Sequence, residues 1–207
     1  MKEYFEPIFD AYVERYKSIL STALFYPAKN STGFPERNLS VNFAFAYQKL
    51  HPEAICWFEF QFGDNNKLHY DGLIIDPKEC CVLVVESKRL KGEKKIREIK
   101  ADILRIHEAR AVLADDRIDK EMLPNYKIYG VVLADVWTIS HGKTSASKLA
   151  YKDSFQDQSF AEQYLKDDED NRAEMFLSNG DAYYNSCYIP VRDADGYYLT
   201  YFVWNVE

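Results

Sequence analysis

The chain has 207 residues, of which 47% are apolar and 29% are charged, and its formal net charge is −7 at pH 7. This size and apolar content suit a single domain with a hydrophobic core, and the lack of any run of about 18 apolar residues argues against a membrane-spanning helix. The four cysteines have no CxxC spacing, which predicts reduced thiols in a cytoplasmic protein. The acidic balance argues against indiscriminate binding to nucleic acid.

Apolar side chains at helical spacing predict two helices before the first strand. The first covers residues 3–25, and the second begins near Glu36 and ends near residue 50. Residues 55–62 alternate in a way that predicts a strand. The phenylalanines expected on one face of this strand are Phe58, Phe60 and Phe62.

Two apolar runs near the middle of the chain predict a β-hairpin. Residues 68–75 and 80–88 are rich in valine, isoleucine and leucine. The segment Asp76-Pro77-Lys78-Glu79 between them is a turn signal, because proline suits the second position of a turn. The valine-rich second run is typical of a strand that is covered on both faces.

The remaining elements follow the hairpin. Residues 93–114 carry an apolar stripe that predicts one amphipathic helix, and residues 126–134 predict a buried strand. Farther along, a loop is expected over residues 140–147. Residues 187–191 and 197–206 predict a second hairpin.

These elements predict one α/β domain over residues 1–207.

Asp71, Glu86 and Lys88 are the charged residues of the central hairpin that most strongly indicate chemistry. If residue 75 pairs with residue 80, Asp71 lies diagonal to Glu86, and if residue 76 pairs with residue 81, it lies directly opposite. In both registers the three side chains share one face, because strand side chains alternate with a period of two. Cross-strand neighbours lie about 4.5–8 Å apart, so the two carboxylates could share one hard cation.

The order Asp71, then Glu86-Ser87-Lys88, within the pattern helix, three strands, helix and strand, resembles the PD-(D/E)XK nuclease superfamily, which has the restriction-endonuclease-like fold. One departure is visible, because Tyr70 rather than proline precedes Asp71. The resemblance covers about residues 35–137 and implies a three-layer core in which a central mixed β-sheet is flanked by helices. The helix at 3–25 and the region 138–207, with its C-terminal β-hairpin extension, would be additions to this core. The resemblance also implies a Mg²⁺-dependent endonuclease, with Mn²⁺ able to substitute. Asp71, Glu86 and the Ser87 carbonyl would hold the metal, and Lys88 would orient or help to deprotonate the attacking water.

Two further carboxylates are candidate catalytic residues. The resemblance implies an additional carboxylate from the helix before the first strand, and Glu36 is the best candidate. A favourable interaction of Glu36 with the helix N-terminus explains its position equally well. Glu59 could reach the site from the first strand, or it could be exposed or salt-bridged. His69 precedes Asp71 by two residues and could also face the site.

A basic segment follows the proposed site. Residues 88–110 contain nine lysine and arginine residues and four acidic residues, which gives a local charge of +5. Lys94, Arg97 and Lys100 are therefore candidates for contacts with the phosphates of nucleic acid. The competing interpretation is a charged helix face that only meets solvent.

Three functions remain open on the sequence alone. The first is a nuclease that hydrolyses DNA, with a protein partner or a second copy of the chain supplying additional affinity and with no membrane partner. The second is a catalytically silent nucleic-acid-binding or assembly module with the same fold. The net charge of −7 favours it, as does the acidic C-terminal half, because residues 111–207 contain 9 basic and 17 acidic residues. The third is an interaction protein in which Asp71, Glu86 and Lys88 form a structural salt-bridge cluster.

Overall fold

The computed structural model describes residues 1–22, 35–62, 68–90, 93–114, 118, 121, 123–137, 139–140, 143–144, 182–191 and 194–206. The α-helices within these residues are α1 (Lys2–Thr22), α2 (Arg37–Leu50), α3 (Glu93–His107) and α4 (Ala109–Ala114). The strands are β1 (Ile55–Phe62), β2 (Leu68–Asp76), β3 (Cys81–Arg89), β4 (Lys127–Trp137), β5 (Ile139–Ser140), β6 (Lys143–Thr144), β7 (Ala182–Val191) and β8 (Ala194–Val206). A search of the described helices for one that could cross a membrane found none with the required length and apolar character.

Six of these strands form one open, mixed β-sheet in the order β1-β2-β3-β4-β8-β7. β3 and β4 are parallel, and the chain between them contains α3 and α4, whereas the other neighbouring strands are antiparallel. The prediction of an α/β protein with a mixed sheet is therefore confirmed.

Helices cover the sheet on both faces. On one face Phe9 of α1 and Phe43 of α2 belong to the same buried cluster as Leu83 of β3. On the opposite face Ile103 of α3 packs in a second buried cluster with Val84 of β3. Successive residues of β3 thus enter different cores, which explains why its sequence is a continuous apolar run.

The C-terminal hairpin is an integral part of the sheet and not an extension beside the core. β7 and β8 pair as predicted, but β8 also pairs with β4 along its length, from Val206 opposite Ile128 to Tyr197 opposite Trp137. The predicted loop over residues 140–147 is wrong at its beginning, because β5 and β6 form a short antiparallel pair there.

The sequence predicts one helix over residues 93–114, but the structure has two helices that are separated at Glu108. The Glu108 N–H donates to the carbonyl of Arg105 at 3.2 Å, three residues back, which tightens the end of α3. The Tyr70 hydroxyl donates to the same carbonyl at 3.4 Å. A side chain from β2 thus competes for a carbonyl of the helix, which is a known cause of helix interruption.

The prediction that Phe58, Phe60 and Phe62 share one face of β1 is wrong. Phe58 packs against the core of α1 and α2, whereas Phe60 and Phe62 belong to the core of α3 and α4. The change occurs at Glu59, whose φ of 53° lies in the left-handed region that side chains disfavour. The pairing of β1 with β2 skips Glu59 and Asp71, so the irregular point of the sheet coincides with two candidate site residues.

Candidate active site

Asp71 lies at the point of β2 where its pairing with β3 ends. The two strands follow the second register considered from the sequence, in which Asp76 pairs with Cys81. The last pair is Gly72 with Val85, so Asp71 and Glu86 are the next residues beyond the paired region. The Asp71 Oδ2 accepts a hydrogen bond from the N–H of Ser87 at 2.7 Å. The Asp71 carboxylate is therefore held against the backbone of the Glu86-Ser87-Lys88 segment.

Glu86 and Lys88 meet charged side chains of α3. The Lys88 Nζ lies 3.7 Å from the Glu86 Oε2 and 2.7 Å from the Asp102 Oδ2. The Arg105 guanidinium forms an ion pair with the Glu86 Oε1 and a second one with the Asp102 Oδ1 at 2.8 Å. Only 2% of the Glu86 side chain is exposed, so its charge depends on these partners.

Burial and like charges perturb the ionisation of this cluster. The pKa of Glu86 is raised to about 8, first because the side chain is buried and then because Asp71 and Asp102 lie near it, although Arg105 and Lys88 oppose the shift. Burial also raises the pKa of Asp71 against the opposing effect of Lys88. For Lys88, burial lowers the pKa, but the neighbouring carboxylates outweigh it and the pKa is raised, so the ammonium group stays charged. A bound cation would reduce the electrostatic repulsion among these carboxylates.

Glu59, His69 and Asp71 form a second group where β1 meets β2. Each of the three offers one possible metal-ligating atom, and these atoms all lie within 4.8 Å of one another. The Glu59 Oε2 is 3.4 Å from the His69 Nε2, and the Glu59 Oε1 is 2.7 Å from a guanidinium nitrogen of Arg37. Glu59 thus reaches Asp71 and is also salt-bridged. Across the described residues, Glu86 belongs to no such group of three.

Glu36 lies at the N-terminal end of α2 but makes no side-chain capping hydrogen bond there. Its Oε1 instead accepts the N–H of Arg89 at 3.1 Å and lies 3.3 Å from the Lys95 Nζ. The Glu36 carboxylate therefore connects α2 to the end of β3 and to α3, one residue beyond Lys88 along the strand. A role in holding these elements together explains its contacts.

The candidate phosphate-binding residues all lie on α3. The Lys94 side chain is 91% exposed and lies 4.0 Å from Glu98, so it is accessible to a ligand. Arg97 and Lys100 belong to the same helix, but their side chains lie outside the described part of the chain. The predicted use of all three as phosphate contacts remains a prediction.

Asp102 and Arg105 are site residues that sequence reasoning missed. They stand three residues apart on α3, beside the buried stripe of Ile99, Ile103 and Ile106. Asp102 is itself only 5% exposed. A carboxylate beside an apolar helical stripe must be paired in the fold, and that was the signal available in the sequence.

The fold and this cluster define an α/β protein with a carboxylate-rich site, paired to one lysine and one arginine, between its sheet and α3. The chain matches no protein-family model, no curated protein and no solved structure. Its function must therefore be inferred from the site itself.

Proposed function

We propose that the protein is a Mg²⁺-dependent nuclease that hydrolyses phosphodiester bonds in DNA. The observation that carries the proposal is that the Asp71 carboxylate binds the N–H of Ser87, between Glu86 and Lys88, while Lys88 lies 3.7 Å from Glu86. Glu86 is buried and Asp71 is partly buried, and both carboxyl groups have raised pKa values. The element order α2-β1-β2-β3-α3-β4, with β3 and β4 parallel, supports the restriction-endonuclease-like fold that the sequence resembles.

The donor set fits a hard divalent cation. Asp71 and Glu86 offer carboxylate oxygens, and the Ser87 carbonyl adds a neutral oxygen donor, which are the ligand types that Mg²⁺ prefers alongside water. Glu59 and His69 lie close enough to Asp71 to complete the coordination sphere on the β1 side. Bound Mg²⁺ or Mn²⁺ would supply an acidified water molecule and neutralise charge on the phosphate.

Lys88 has the position required of a residue that assists the attacking water. Its ammonium group lies 3.7 Å from the Glu86 carboxylate, on the side of β3 that faces α3. A charged lysine at this distance can orient a water molecule and stabilise the negative charge that develops on the phosphate. The raised pKa of Lys88 favours this electrostatic role over that of a general base, because a base must be neutral to accept a proton.

The alternative function is a catalytically silent nucleic-acid-binding or assembly module. One observation favours it: Arg105 and Lys88 already form ion pairs with Glu86 within the protein. In that case the cluster would serve as a structural ion-pair network. The four cysteines, all of which are described, are free, and this supports a cytoplasmic location for either function.

The test is cleavage of supercoiled plasmid, linear duplex DNA, single-stranded DNA and RNA by the purified protein. We expect cleavage of DNA with Mg²⁺ or Mn²⁺ and none with EDTA. Lys88→Ala should lose activity and keep the fold, as judged by circular dichroism. Cleavage of no substrate, with either cation, would leave the silent module as the better explanation.

A further inference from the structure

Asp102 of α3 binds the same two cations that bind Glu86. The Lys88 ammonium is 2.7 Å from the Asp102 Oδ2 but 3.7 Å from the Glu86 Oε2. The Arg105 guanidinium contacts Glu86 and also lies 2.8 Å from the Asp102 Oδ1. Asp102 and Glu86 therefore compete for Lys88 and Arg105, and Asp102 is the closer partner of Lys88.

The two carboxylates differ in what else surrounds them. Glu86 stands on β3 beside Ser87, whose N–H binds the Asp71 carboxylate, so Glu86 is next in sequence to the backbone group that holds Asp71. Asp102 belongs to α3, and its side chain is only 7% exposed. Its two oxygens are both engaged by Lys88 and Arg105. Asp102 is thus placed to hold the protein's own cations rather than to bind a metal ion.

We infer that Asp102 is a positioning residue that holds the Lys88 ammonium on the α3 side of the cluster and shares Arg105 with Glu86, so that Glu86 stays available to a divalent cation. The inference rests on the proposed function, because it assumes that Glu86 binds a cation. Without the Asp102 charge, Glu86 is the nearest anion left to both side chains, and a divalent cation must displace them. Asp102 also fixes the Lys88 ammonium close to the metal-binding carboxylates.

A simpler effect must be separated from this one. Any buried carboxylate near the site attracts a divalent cation through space, so removal of the Asp102 charge weakens binding even if Asp102 positions nothing. The two explanations predict different effects of Asp102→Asn once Lys88 and Arg105 have been replaced. A through-space effect persists when Lys88 and Arg105 are removed, whereas a positioning effect disappears with the residues that it positions.

The experiment is a mutant cycle read by calorimetric titration of the full chain with Mn²⁺ alone, so that activity is not the readout. Asp102→Asn keeps the side-chain shape and removes the charge, and we expect it to weaken Mn²⁺ binding by about tenfold, or about 1.4 kcal/mol. In the Lys88→Met, Arg105→Gln background the same change should weaken binding by less than about twofold. The control is Glu98→Gln. Glu98 lies one turn earlier on α3, its side chain is 34% exposed and it pairs with Lys95, so this change should alter affinity by less than about twofold.

Each result separates the explanations. An equal weakening by Asp102→Asn in both backgrounds would overturn the inference and leave the proposed function intact. Absence of Mn²⁺ binding by the unmodified chain would overturn the proposed function, and the inference with it. If Asp102→Asn does not fold, Asp102→Ser takes its place in both backgrounds, because it also removes the charge, and the same comparison decides: an equal weakening in both backgrounds would overturn the inference.

Discussion

Two ionic clusters lie on opposite faces of the same β-sheet and differ in their balance of charge. On the face covered by α1 and α2, Arg89 and Asp135 form a one-to-one pair with nitrogen-to-oxygen distances of 3.1 and 2.9 Å, and the Tyr197 hydroxyl donates to the same carboxylate at 3.2 Å. Asp135 is fully buried. This cluster is balanced in charge and closed to solvent, as expected of a structural ion pair.

Among the side chains that the structure describes, the cluster on the α3 face brings together three carboxylates, Asp71, Glu86 and Asp102, but two cations, Lys88 and Arg105. It is also more open, since 28% of the Arg105 side chain is exposed. Lys88 and Arg89 are neighbours in sequence, yet strand alternation sends them to different clusters. The contrast suggests that an excess of carboxylates with access to solvent, rather than burial of charge alone, indicates a cation site.

Substitutions of the sequence neighbours Lys88 and Arg89 should differ most in their effects on cleavage activity and on stability. Lys88→Met should reduce phosphodiester cleavage by about a hundredfold or more, since removal of a group that acts on the attacking water typically costs this much. Its unfolding free energy in urea should fall by less than that of Arg89→Met, because Asp102 keeps Arg105 as a partner in the more open cluster. Initial rates measured with urea titrations provide the check, and unchanged cleavage would show that Lys88 has no catalytic role.

Arg89→Met should give the opposite phenotype. It leaves Asp135 buried without its guanidinium partner, so we expect the unfolding free energy to fall by about 3–5 kcal/mol. The fraction that remains folded should still cleave DNA, because Arg89 lies on the other face of β3. A decrease in stability of under about 1 kcal/mol in urea unfolding would contradict the structural assignment of this pair.

The pH dependence of stability should distinguish Glu86 from an ordinary carboxylate. The pKa of Glu86 is about 8 in the fold against an ordinary value of 4.5, so the folded state binds the proton more tightly than the unfolded state. The unfolding free energy should therefore fall as pH rises from about 4.5 to about 8 in EDTA. Glu86→Gln should remove this decline and stabilise the protein at pH 8 by roughly 1–3 kcal/mol.

The control for this measurement is Glu98→Gln. Its hydrogen bond and ion pair with Lys95 lower the pKa of Glu98, so Glu98→Gln should leave the decline between pH 4.5 and 8 in place. If the stability of Glu86→Gln and of the parent protein fell with pH in parallel, Glu86 would be an ordinary ionised carboxylate and the contrast between the two clusters would weaken.

The smallest effect concerns DNA binding by α3. The double change Lys94→Glu, Arg97→Glu should weaken DNA binding by about tenfold. It should also lower the slope of log affinity against log salt by about one unit for each phosphate that the variant no longer binds. Lys2→Glu, Lys17→Glu makes the same change of charge on α1, far from this helix in sequence, and serves as the control. Equal effects of the two double variants in fluorescence anisotropy would mean that α3 has no special role in binding.

The central hairpin was predictable because its signals are local. The apolar runs, the turn at Asp76-Pro77 and the two-residue alternation place Glu86 and Lys88 on one face without knowledge of the rest of the chain. The register was not predictable, since residue alternation allows both pairings. The structure has the pairing that brings Asp71 and Glu86 into line at the end of the paired region.

The features that the sequence did not predict depend on distant contacts. The ion pairs of Asp102 and Arg105 require α3 to pack on β3, and β8 reaches β4 from more than 60 residues away in sequence. The change of face at Glu59 requires a positive φ at a residue that gives no sign of it. Local pattern therefore predicted the strand residues of the site, and packing supplied the residues that neutralise them.

The most direct test of the proposed site is a crystal structure with bound Mn²⁺, in which anomalous scattering locates the ion. We expect one strong anomalous peak within about 2.0–2.6 Å of carboxylate oxygens from both Asp71 and Glu86, with the Arg105 guanidinium displaced from Glu86. A peak held by Glu59 and His69 without Glu86, or no peak near Asp71 at saturating Mn²⁺, would contradict the assignment of Glu86 as a metal ligand and with it the proposed nuclease site.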